Sequence, residues 1–253
     1  MQARCLPARR GAFWLVAGLH LFRRNPPLLT AATLTYLLLV QMIVGLLPGV
    51  GPFLLPLALP TMILIVANGV RVVDRGGPML PAALLHGVRG NGVTMLRLGG
   101  LHLLGAFVFV SLIMLLEGGG MKFVDIEKAD DPEFIWSLLR LFVMAIPFLL
   151  AFLFAPYLAG WDGVPAAKAL FFSFVAAIRN WRALLSYMAA VVLVSVALPG
   201  LLIILAGLMP EFVVQVVQVV IRMLMLFVLA PVLTASLYIG YRDVFHPPTD
   251  EHA

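Results

Sequence analysis

The stretch Arg23-Arg24-Asn25-Pro26-Pro27-Leu28-Leu29, RRNPPLL, marks the point where a short basic segment gives way to a long apolar run. Two prolines behind an asparagine fit the first turn of a helix, where the missing proline N–H costs little. The asparagine oxygen can cap that turn. The run that follows, 28–47, is about the length of helix, roughly 20 residues, that crosses a bilayer core. A signal peptide is the competing reading, because arginines precede the apolar stretch Ala12 to Phe22. The cleavage position, however, holds Arg23-Arg24-Asn25-Pro26 instead of small residues, and Arg9-Arg10 lacks the wider twin-arginine context. The segment is expected to be retained.

Composition points the same way. Of 253 residues, 62% are hydrophobic and 11% charged, against about 45–50% and about 25% in a soluble domain. A water-soluble fold of this size has no interior large enough for so much apolar surface, so lipid must solvate much of it. No polar linker divides the chain, and 1–253 reads as a single membrane domain. Cys5 is the only cysteine, which excludes an internal disulfide and a cysteine metal motif. The net charge of +5 is read as arginines on the cytoplasmic face, not as a nucleic-acid footprint.

Five further runs match the first: 52–73, 98–116, 135–158, 183–208 and 212–240. In lipid the backbone must satisfy its own hydrogen bonds, so all six are expected to be helices. The alternating ten-residue strands of an outer-membrane barrel are absent. With the N-terminus in the cytoplasm, 13 of the 17 basic residues fall on the inner side, the bias that sets orientation. The segment between spans three and four carries Glu117, Asp125, Glu127, Asp130, Asp131 and Glu133. Six spans then return the C-terminus to the cytoplasm.

Segments 7–24, 81–97 and 165–182 precede the odd spans. Each is too short to cross and rich in arginine. They read as helices lying in the membrane interface, with cations toward headgroups and apolar side chains in the acyl boundary. Arg23, Arg24, Arg89, Arg97, Lys168, Arg179 and Arg182 are the candidate headgroup contacts. Each segment ends in a basic residue near an asparagine: Asn25, Asn91 and Asn180, 66 and 89 residues apart. The even spans end alike, with Asp74, Asp162 and Asp243 near the inner interface. The expected architecture is all-α: six spans in three hairpins, each led by an interfacial helix, with true internal repetition an open reading.

The blocks CLPARRG, LFRRNPPLL, KALFFSFVAAIRNWRALLSY and APVLTASLYIGYRDVF resemble a family of proteobacterial inner-membrane proteins of uncharacterised role. That family is in turn similar to YciC-type six-span proteins and to the membrane domain fused to some glycerophosphodiester phosphodiesterases. The resemblance covers nearly the whole chain. It implies a bacterial inner membrane and six helices, and no activity.

Chemistry is sparse. An ionisable or strongly polar residue inside a span is a functional hypothesis by default, and three qualify: Asn68, His102 and Arg222. Asn68 reads as interhelical glue or as part of a broken-helix site. A lone His102 has no partner chain for proton relay. Arg222 is about 20 residues from Arg242, which places it near the outer interface. Ser111, Ser173, Ser195 and Ser236 lack a histidine–carboxylate context. The acidic stretch DIEKADDPEF has no EF-hand spacing, and EGGGMK lacks the phosphate-loop pattern. No cofactor or metal is expected. The functional expectation is a non-enzymatic inner-membrane protein that organises or regulates envelope components or binds anionic lipid, with other inner-membrane proteins as further partners. The alternative is a small-molecule or lipid transporter lined by Asn68, His102 or Arg222.

Overall fold

The computed structural model describes residues 3–78, 80–116 and 132–246. Among these the chain is helical, and six helices are long and apolar enough to cross a membrane: Pro26–Leu46, Gly51–Arg75, Gly92–Leu115, Trp136–Gly160, Trp181–Ala206 and Glu211–Phe245. The elements are α1 (Arg9–Arg24), α2 (Pro26–Leu46), α3 (Gly51–Arg75), α4 (Pro81–Leu84), α5 (Gly92–Leu116), α6 (Pro132–Leu153), α7 (Ala155–Gly160), α8 (Ala166–Arg179), α9 (Trp181–Val192), α10 (Leu198–Ala206), α11 (Glu211–Leu224) and α12 (Ala230–Phe245). Five-residue π-helical segments, Leu193–Ala197 and Met225–Leu229, join α9 to α10 and α11 to α12.

The short basic segments differ from one another. The second is not one helix: α4 ends at Leu84, and the chain turns through Gly87 at φ 77 before α5 starts at Gly92. The glycines of RGNG break the expected 81–97 helix, and its last six residues become the start of the span. The first segment has the least regular amphipathic pattern, yet it is deeply packed. α1 buries Trp14, Leu15, Leu21 and Phe22 against α9 and α12. Gly11 makes that approach possible, because a β-carbon there would strike the carbonyl of Ala183. α8 buries a stripe of small residues, Ala169, Ser173 and Ala176, against α6 and α7. Its Phe171 and Ile178 face outward.

The core sits at the arginine-rich end of the bundle. Phe154 to Gly160 are buried without interruption, as are Val66 to Val70. The far halves of the spans leave Leu38, Phe53, Leu115, Ile204 and Leu208 exposed. Between helices in lipid, apolar burial supplies little drive, and association rests on close packing and interhelical hydrogen bonds. Small residues such as Ala183, Gly18 and Gly240 lie where helices meet at this end.

The prolines show how the spans tolerate breaks. A proline at position i leaves the carbonyl of i−4 without its helical donor. Pro231 frees the carbonyl of Phe227, and Thr30 Oγ1 of α2 donates to it at 2.9 Å. Pro56 and Pro60 both lie inside α3. At the α6–α7 break, the hydroxyl of Ser173 inserts into the ladder. It accepts from the N–H of Phe154 and donates to the carbonyl of Leu150, both at 2.9 Å. Neighbouring side chains thus replace the lost backbone bonds, as helices in a bilayer require.

Candidate functional site: an aspartate node on the last helix

The end of α12 carries Tyr238, Tyr241, Arg242 and Asp243, with His246 just beyond. Their spacing directs successive side chains to three different neighbours. Tyr238 donates to Asp74 Oδ2 at 2.9 Å, and Arg242 Nη1 donates to the same oxygen at 2.7 Å. Arg24 Nη1 lies 3.8 Å from the other oxygen and donates to the Asp74 carbonyl at 3.3 Å. Tyr241 donates to Asp162 Oδ2, and His246 Nε2 lies 3.0 Å from Oδ1. Asp243 turns to α1, where Trp14 Nε1 donates to Oδ2 at 3.1 Å and Arg10 Nε lies 3.0 Å from it. All three aspartates therefore meet partners at the end of α12.

These contacts differ in worth. Arg10 is 41% exposed, so its ion pair with Asp243 is heavily screened and contributes at most about 1 kcal/mol. The indole N–H of Trp14 is buried with the carboxylate, and a hydrogen bond to a charged group is worth about 1.5–3 kcal/mol. Leaving Asp243 without that donor is the expensive change.

A second network joins the node. Asn68, 1% exposed, donates through Nδ2 to the carbonyls of Leu84 and His86 at 2.7 and 2.8 Å, and accepts from Trp161 Nε1 at 2.8 Å. It pins the turn after α4 to the end of α7. Arg71 lies over the Trp161 ring, 4.9 Å from its centroid. Its Nη1 is buried without a hydrogen-bond partner among the described residues.

The three asparagines that open the odd spans do different work. Asn25 caps α2, accepting from the Leu28 N–H at 3.3 Å. Asn91 donates to the Gly160 carbonyl at 3.1 Å. Asn180 holds the N-terminal segment, accepting from Leu6 N–H and donating to the carbonyl of Arg4, both at 2.8 Å.

The anticipated polar trio is not brought together. Asn68 is engaged as described. His102 packs against Phe148 and Phe152, tilted to the first ring and edge-on to the second, with centroids 5.0 and 4.5 Å away, and Arg222 is exposed on α11. Three of the serines considered as nucleophiles also have structural partners: Ser173 bridges the α6–α7 break, Ser195 donates to the Val191 carbonyl at 2.7 Å, and Ser236 shares a hydrogen bond with Tyr187 at 2.7 Å. The basic candidates Arg23, Arg89, Arg97, Lys168, Arg179 and Arg182 are all exposed, whereas Arg24 also serves Asp74. Sequence reading noted the aspartates but missed their convergence. The one available signal was the Tyr238–Tyr241–Arg242–Asp243 cluster, too polar for a span that merely ends there.

Six membrane-length helices closed by a polar node at their arginine-rich end define a polytopic helical membrane protein. Over 258 aligned residues the chain is 32% identical to a protein of Burkholderia thailandensis described as a probable inner membrane protein, covering 97% of this chain and 94% of that one. The chain belongs to the family of that inner-membrane protein. No family model and no solved structure matches it.

Proposed function

We propose that this is a non-catalytic protein of the bacterial inner membrane that binds anionic lipid at its cytoplasmic face and so organises other envelope components. Both termini lie in the cytoplasm on this reading, and the chain is three units of a leading basic segment and a helical hairpin, related to the YciC-type proteins. The supporting observation is an imbalance of charge. Asp74, Asp162 and Asp243 are all used inside the bundle, while Arg23, Arg75, Arg89, Arg97, Arg179 and Arg182 stay exposed and, among the described residues, outside any ion pair. That end thus presents net positive charge to its surroundings. Each such cation near an anionic leaflet contributes about 1 kcal/mol.

Quantifying the lipid that copurifies in mild detergent tests the reading. Phosphatidylglycerol and cardiolipin should be enriched over their share of the membrane; a copurifying pool that mirrors the bulk membrane would count against it. Orientation is tested separately: a green fluorescent protein fused to the C-terminus should fluoresce and an alkaline phosphatase fused there should be inactive.

A further inference from the structure

A cleft of about 300 Å³ opens beside the turn that connects α4 to α5. One wall is the turn itself, and the other is Gly160 with Trp161 at the end of α7. The turn has a fixed shape. Gly87 holds φ 77 where a β-carbon would strike the Gly160 carbonyl, and Asn91 donates to that same carbonyl. Asn68 ties the carbonyls of Leu84 and His86 inward and holds the Trp161 indole. Those two acceptors are thereby turned into the protein.

What the lining offers a ligand is one guanidinium and one imidazole. Arg89 and His86 are exposed lining residues, and among the described residues no carboxylate lines the cleft. Among the described residues the Arg89 guanidinium enters no ion pair. Arg71 lies over the same Trp161 ring, 4.9 Å from its centroid, and helps to fix that wall of the cleft. Planar guanidinium forks match phosphate oxygens in geometry as well as charge. The volume suits a headgroup. Just past the turn, Val93 and Leu96 on α5 are 65% and 61% exposed, giving an acyl chain an apolar surface that a free anion would not use.

We propose that this cleft receives the phosphate headgroup of an anionic lipid, gripped by Arg89 with His86, with an acyl chain lying along the Val93–Leu96 face of α5. The proposal rests on the reading that the basic end binds anionic lipid, and narrows it to one place.

Native mass spectrometry of the detergent-solubilised full chain, titrated with phosphatidylglycerol or phosphatidylcholine, tests it. Arg89→Gln should weaken the first phosphatidylglycerol adduct about tenfold and leave phosphatidylcholine and thermal unfolding unchanged. Arg179→Gln, an exposed arginine of the same basic face outside the cleft, should weaken the first adduct by less than the roughly fivefold that one surface cation contributes. Equal losses in the two variants would overturn the cleft and preserve general basic-face binding. No preference for phosphatidylglycerol in the wild type would overturn both readings. Displacement of the lipid by millimolar inorganic phosphate would overturn the lipid assignment; retention supports it.

Discussion

Asn180 is 1% exposed, and its amide is fully engaged. It closes α8 through the Ala176 carbonyl at 2.9 Å and grips Arg4 and Leu6. Asn180→Ala leaves those groups without partners and should destabilise the protein by about 1–3 kcal/mol. Limited proteolysis should trim the segment before α1 faster, and thermal unfolding in detergent should report the loss. Trp14→Phe keeps most of the buried ring but removes the donor to Asp243. A loss of about 1–3 kcal/mol is expected, against little change for the same substitution at exposed Trp136. Equal effects at the two positions would show that the indole N–H of Trp14 contributes nothing beyond ring volume.

At the scale of elements, the decisive contacts are backbone approaches. Gly11→Ala should push α1 off α9 and cost about 1–3 kcal/mol or more, whereas Gly45→Ala, with open space around it, should be neutral or slightly stabilising. Comparing the two unfolding midpoints checks this. Thr30→Val keeps shape but strips the donor from the carbonyl that Pro231 frees; a loss of about 0.6 kcal/mol, up to about 1.7, is expected from interhelical hydrogen bonds in membranes. The spans themselves were legible because their lengths follow from bilayer thickness. The second leading segment was not, because three glycines over six positions override a helical spacing of arginines. The depth of α1 was hidden for a related reason: its packing face includes Gly11 and Gly18, which carry no hydrophobic signal.

Across the whole molecule, α12 is the shared partner. Asp74→Asn and Asp162→Asn each loosen one neighbour of that helix, and the two changes meet through Tyr238 and Tyr241. A double-mutant cycle should give an interaction energy of about 0.5–3 kcal/mol; additive losses would mean that the aspartates act independently. The aspartates were visible in the sequence as a recurrent span ending, and the arginines as an orientation signal. Which aspartate meets which helix was not visible, because those pairings join residues 164, 79 and 229 positions apart and nothing local encodes them. Asn68 was legible as glue, since a lone amide in an apolar run must find partners; its partners in the turn after α4 were not.

The convergence on α12 also sets an order of events during synthesis. Asp74 and Asp162 leave the ribosome long before Tyr238, Tyr241 and Arg242, and Trp14 waits longer still for Asp243. A nascent chain with five spans inserted therefore leaves Asp162 and the Trp14 indole without their α12 partners, and Asp74 with Arg24 alone. The bundle locks only when its last helix is made.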